Sequence, residues 1–372
     1  ASVFQFAGGE LPRLSARPVS RSLDGRPYPS TLLLLSGRQL LSDFGRSAAA
    51  RAAEDAAVGE AQASAAEARF AIAADVVGAF FAVYAARDVR RAAGQARARA
   101  ATHRRMAGTA LRLGLRSAAD VARTEAELAR HDAAVRRADG DLLRARFALG
   151  EAMGSPAEAI AVAGERPALP PDVPLARAVA WLEGRAPSLQ TASARTRTEE
   201  QRRDAVAAEL RPRLEARVAA SAFAGGAPGS EGVTVPGEGW APTVPNYSGA
   251  ITFAVPLLDP AVRARTRAAE ARVAAMQAER EAIRQAVVAQ IHGLYAELEA
   301  ARGAAGALAR AVDASRITMA EAEARFERGL GTSLELADAQ NLRVRAEIEL
   351  AQAKLDEARA RAAIARALGE EW

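Results

Sequence analysis

The sequence predicts a mainly α-helical fold with a β portion, written twice along one chain. Three observations predict it. Half of the 372 residues are hydrophobic yet only 5% are aromatic, and much of the apolar share is alanine, which suits long, closely packed helices better than a thick globular core. Two glycine-broken tips interrupt long helical stretches. Gly114-Leu115-Arg116-Ser117 with Asp120-Val121-Ala122 matches Gly329-Leu330-Gly331-Thr332 with Glu335-Leu336-Ala337 at a constant offset of 215. Ahead of each long helix, finally, the chain alternates apolar and polar residues with period two, the mark of a strand.

Taken in order, Leu11 to Val19 alternates Arg13, Ser15 and Arg17 with Leu14 and Ala16, and reads as a strand. A polar turn rich in Gly and Pro covers 20–29, and a second strand covers Thr31 to Gln39. Leu40-Leu41-Ser42-Asp43-Phe44-Gly45-Arg46 leads into a helix over about 44–111, which at about 1.5 Å per residue reaches on the order of 100 Å. After the first tip, a return helix over about 118–152 carries the seam Val121, Thr124, Leu128, His131, Val135, Ala138, Leu142, Ala145, Leu149. That alternation of threes and fours predicts left-handed coiled-coil packing.

Residues 154–174 are rich in Pro and Gly and read as a linker, followed by helices over 174–184 and 188–210. Then the beginning returns: Pro212-Arg213-Leu214 with Ala216-Arg217 repeats Pro12-Arg13-Leu14 with Ala16-Arg17. Strands are expected over 212–223 and Ser248 to Leu257, around a Gly/Pro loop, and a second long helix over 259–328. The last helix, 333–368, shows two seams: one through Leu334, Asn341, Ile348 and Leu355, the other through Ala339, Leu342, Ala353 and Ile364. Two seams mean a neighbour on either side, and a sheet of helices can satisfy its edges by closing into a tube. The helix ends Ala148-Leu149-Gly150-Glu151 and Ala367-Leu368-Gly369-Glu370 echo each other.

Charge and composition exclude several classes. The 50 basic residues are interleaved with 45 acidic ones, so the net charge of +5 describes solvated helix faces with i,i+4 pairs rather than a nucleic-acid patch. Without cysteine there is no disulfide framework, thiolate metal site or thiol catalysis. His103, His131 and His292 are dispersed and predict no metal site, and no phosphate loop or triad predicts an enzyme or a cofactor. No signal peptide opens the sequence, which fits a cytosolic protein or a mature or trimmed form. No run approaches the roughly 18 apolar residues of a spanning helix, so any passage through a membrane would use strands. Four strands cannot close a barrel by themselves, whereas two or three copies could. Tyr28, Phe223, Trp240, Tyr247 and Phe253 bracket these strands, as interfacial aromatics do, although Tyr28 and Trp240 lie within the loops and read equally as loop packing.

The order and duplication of these signals resemble the TolC-type outer-membrane efflux family over nearly the whole chain, about 11–369. The resemblance implies a homotrimer: a twelve-stranded outer-membrane β-barrel continued by a twelve-helix periplasmic α-barrel. It implies the passive exit duct of a tripartite efflux or type I secretion system, set in outer-membrane lipid, with a periplasmic adaptor and an inner-membrane pump as partners. On that reading residues 1–153 are the first repeat, 154–211 the linker and equatorial helices, and 212–372 the second repeat. Glu335 and Asp338 fall on paired acidic positions that ring the entrance, Phe326 on an aromatic position near the same constriction, and Asp120 on the first repeat's counterpart of Glu335. Gly114, Leu115, Ser117, Gly329, Leu330, Gly331, Thr332 and Ser333 form the tips offered to the adaptor. The chain departs at Gly331, where some members carry a basic residue that holds the entrance shut. The residues alone leave one alternative, a soluble elongated coiled-coil scaffold, which would have no use for amphipathic strands.

Overall fold

The computed structural model describes residues 30–169, 172–225 and 244–370. Its elements are β1 (Ser30–Ser42), α1 (Arg46–Arg112), α2 (Ala118–Ala152), α3 (Leu175–Arg185), α4 (Pro187–Ala208), β2 (Arg213–Gly225), β3 (Val244–Ala254), α5 (Pro260–Glu327) and α6 (Ser333–Leu368). The strand expected over Leu11 to Val19 lies outside the described residues, with Tyr28 and Trp240. Contacts divide the chain into two compact units, and each takes residues from both sequence repeats.

The unit formed by the chain up to Gly59 and by Ala194–Ala278 holds the strands. They pair antiparallel in the order β1-β2-β3. The register sorts most of the side chains by polarity, because a pleated strand sends alternate residues to opposite faces. One face carries Leu33, Leu35, Val218, Leu214, Tyr247, Ile251 and Phe253, with Gln39 as its one strongly polar member among the described residues. The other carries Ser36, Arg38, Arg213, Glu215, Arg217, Ser221, Ser248 and Thr252, with Leu34 and Leu40 as its large apolar members among the described residues.

Both long helices leave the sheet beside an aspartate whose side chain takes up amides that a helix start orphans. Asp43 accepts from Gly45 N at 3.1 Å and Ser47 N at 2.7 Å. Asp259 accepts from Ala261 N and Val262 N, both at 3.1 Å, with Pro260 at the first helical position. Those bonds, Ser47's first, hold the Asp43 carboxyl below the usual carboxylate range.

The second unit, Glu60–Ser193 with Glu279–Trp372, is the helical body. Its small side chains let helices approach closely, and the larger ones gather in separate clusters. Val83 of α1 packs with Leu142 and Leu149 of α2. On the opposite flank Phe81 and Ala85 meet Leu355 and Ala358 of α6. Ala360, Ile364 and Leu368 of α6 meet Val287, Ile291 and Leu298 of α5, with Leu182 of α3 and Leu189 of α4. Thus α6 lies between α1 and α5, as its two seams require. The α2 seam is inward along its length, with Thr124, His131, Ala138, Leu142 and Leu149 buried. Asn341 is exposed on the protomer, and the buried amide at this level belongs to its neighbour Gln340.

Two expectations need correction. An 18-residue window of α1 is apolar enough, by length and composition, to cross a membrane. Only 22% of that window is buried inside the protomer; Phe81, Val83, Tyr84 and Ala85 of α1 are buried against α2, α6 and the linker. The two Ala-Leu-Gly-Glu motifs also do different work. Gly369 ends α6 in the left-handed conformation (φ 65°), whereas Gly150 is still inside α2, which runs on to Ala152. Gly150 is there for space: a Cβ on it would meet Glu158 O at 2.2 Å and Ser155 O at 2.7 Å. The linker folds back at that point and is tied down, with Tyr84 Oη donating to Glu165 O at 2.9 Å and Arg87 Nη1 to Val162 O at 3.0 Å.

Candidate functional site: the paired hairpin tips

Both tips are built alike, as the offset of 215 predicts. Gly114 (φ 71°) and Gly329 (φ 76°) take the left-handed conformation that a side chain resists. Each closes a doubly bonded helix terminus. Leu115 N donates to Ala110 O and Gly114 N to Leu111 O; Leu330 N donates to Arg325 O and Gly329 N to Phe326 O. The following helices open with reciprocal capping boxes, Ser117 with Asp120 and Thr332 with Glu335. Leu113, Leu115 and Leu330 stand 68–74% exposed around them.

The two tips are fastened to each other. Arg116 Nη2 donates to Gly331 O at 2.8 Å, and its guanidinium lies 4.4 Å from the Phe326 ring centroid. Ser333 Oγ donates to Asp120 Oδ1 at 3.0 Å. Bonds from Ser117 first, then Ser333, hold the Asp120 carboxyl below its ordinary value. Phe326 is buried among Met106, Met319, Leu336 and Ala339, so in the protomer it is packed rather than presented. Gly331 is crowded, its virtual Cβ 3.2 Å from Arg325 Cβ and Phe326 N. Glu335 and Asp338 are exposed, and Glu335 keeps one oxygen on its own helix start, 3.4 Å from Thr332 N.

Arg116 is the residue that sequence reading passed over, although its signal was present. It occupies the first-repeat position equivalent to Gly331. The base missing from the second tip stands at the first tip and reaches across.

Behind the tips lies a buried polar cluster. Gln340 Nε2 donates to Ala96 O at 2.7 Å and lies 3.2 Å from His131 Nε2. An amide nitrogen can only donate, so this His131 nitrogen is the acceptor and the ring is neutral. Desolvation lowers the pKa of both His131 and His103 and outweighs Glu127 and Glu327, which pull the other way; Arg99 adds to the lowering. The native state therefore binds fewer protons than the unfolded chain near pH 6, and this stabilisation is full above about pH 6.5 and is lost as pH falls. Thermal melts at about pH 7.5 and 5.5 should show a drop that shrinks in His103→Leu/His131→Leu; an undiminished drop would count against the cluster as its source.

A sheet with one apolar face, joined to helices that need neighbours on both sides, defines an outer-membrane channel of the barrel-and-tube class. The family profile described as Outer membrane efflux protein matches residues 11–155 and 181–370. The chain belongs to that family, and with it to efflux across the bacterial outer membrane rather than to enzymes. No curated protein sequence matches it. Among solved structures it is similar to the outer-membrane channel OprN, with a TM-score of 0.74 at 22% identity, covering 93% of this chain and 82% of that one. It is similar to VceC from Vibrio cholerae (0.71, 16%, 93% and 87%). It also matches the open state of the Neisseria gonorrhoeae channel MtrE (0.66, 21%, 92% and 80%). These likenesses establish the fold, and the soluble scaffold is not favoured.

Proposed function

We propose that three copies close into one barrel and one helical tube, the exit duct of a tripartite efflux or type I secretion system. Each copy contributes two near-equivalent staves, residues 1–153 and 212–372, joined by 154–211. The observation that carries this is the uncovered apolar sheet face. Leu33, Leu35, Val218, Tyr247, Ile251 and Phe253 are 45–78% exposed on one protomer, and lipid is the surroundings that suits them. On α6, Leu334, Leu342 and Ile348 are left exposed too, which suits a helix of the neighbouring copy.

The duct is passive, and energy comes from an inner-membrane pump coupled through a periplasmic adaptor. The adaptor meets the tips, where Leu115, Leu330 and their neighbours offer apolar contact beside Gly114, Ser117, Gly329, Thr332 and Ser333. Gating is by the tips. The Arg116–Gly331 and Ser333–Asp120 bonds restrain the hairpins, and Phe326 supports Arg116 from beneath. Glu335 and Asp338 from three copies make stacked carboxylate rings that favour cations at the constriction.

Planar bilayers test the rings. Glu335→Ala/Asp338→Ala should weaken magnesium block about tenfold, since each charge near a constriction contributes on the order of 1 kcal/mol. Unchanged block would remove the rings while leaving the duct.

A further inference from the structure

We propose that the polar face of the β-sheet carries an arginine band that selects anionic cargo, molecules bearing carboxylate, phosphate or sulfonate groups. This rests on the barrel reading, in which the face opposite the lipid-suited one lines the lumen.

The charges of the described strands are all on that face, at the end next to the helix starts. The register sets Arg38 directly opposite Arg217, and Arg213 lies on the same face four residues from Arg217. Like charges directly opposite destabilise a sheet, and the one carboxylate on this face offsets that cost only in part. Glu215 sits among them, with Oε2 3.2 Å from Arg217 Nη2 and Oε1 3.9 Å from Arg213 Nε. Its side chain is 10% exposed, while those of Arg213 and Arg217 remain 51% and 47% exposed.

One covered carboxylate thus braces Arg213 and Arg217, and Arg38 stands exposed on the same face, a surplus of two positive charges among these four groups. No other charged residue stands on this face of the described strands. Guanidinium forks match carboxylate and phosphate oxygens in pairs, and rings of arginine favour anions in pores.

The full chain, reconstituted in planar bilayers under a potassium chloride gradient, reads this as a reversal potential. Arg38→Gln/Arg217→Gln should lower the chloride-to-potassium permeability ratio about twofold or more, the scale of removing unit charges about 10 Å from a permeating ion. Inorganic phosphate should slow the wild-type chloride current and leave the variant's unaffected. Should the double variant not insert, Arg38→Gln alone reads the same quantity with a smaller shift. A conducting variant with the wild-type ratio would overturn the band while leaving the duct standing; a wild-type chain without conductance would overturn the barrel and the band with it.

Discussion

Replacing Arg116 with alanine is expected to raise the conductance of reconstituted channels and let small solutes leak through the tube. Among the described residues, Arg116 is the one side chain that both bonds the opposite tip, at Gly331 O, and covers Phe326. A charged hydrogen bond and a partly buried cation–π contact together contribute about 2–4 kcal/mol. Their loss should shift the equilibrium between restrained and released tips at least about tenfold per chain. Arg116→Lys keeps the charge without the planar fork, so it should restore part of the restraint and not all of it. Ser333→Ala, which removes the bond to Asp120, should move conductance the same way by less. Wild-type conductance in Arg116→Ala would mean that the tips are held by something else.

The largest stability effect is expected at Gly150, where alanine should cost about 3 kcal/mol and lower the melting temperature on the order of 5–10 °C. The added methyl would meet two backbone carbonyls, Glu158 O at 2.2 Å and Ser155 O at 2.7 Å, and neither belongs to a side chain that could swing away. Giving way would pull Ile160 and Val162 off the cluster formed by Val83, Leu142 and Leu149. Gly140 is the control. It sits in the same helix with nothing within 4 Å, so alanine there should be neutral or stabilise by up to about 1 kcal/mol. Equal effects at the two positions would contradict the close approach of the linker.

Much of this architecture was legible because it rests on local, repeated signals. Alternation in 213–223 and 248–254, the Asp-led helix starts and the paired glycine tips each fix backbone chemistry within a few residues. Written twice, each supports its copy. The α2 seam could be read for the same reason, down to buried His131. What could not be read depended on contacts distant in sequence. Nothing near Gly150 announces that a carbonyl eight residues on will press against it. Nothing beside Gln340 shows that it, rather than Asn341, meets His131 across the bundle. Arg116 lies between these cases: the repeat arithmetic places it opposite Gly331, but only the fold shows it crossing over. The arginine band is similar, since Arg213 and Arg217 were visible as one alternating face, while Arg38 joins them only through the register of β1 on β2.

The account stands on assembly, and the mass of the detergent-extracted protein tests it most directly. Light scattering with the detergent contribution subtracted should give three times the 38.9 kDa chain mass, and the particle should precipitate or aggregate when detergent is withdrawn. A well-behaved single chain in detergent-free buffer, its strands protected from hydrogen exchange, would contradict it.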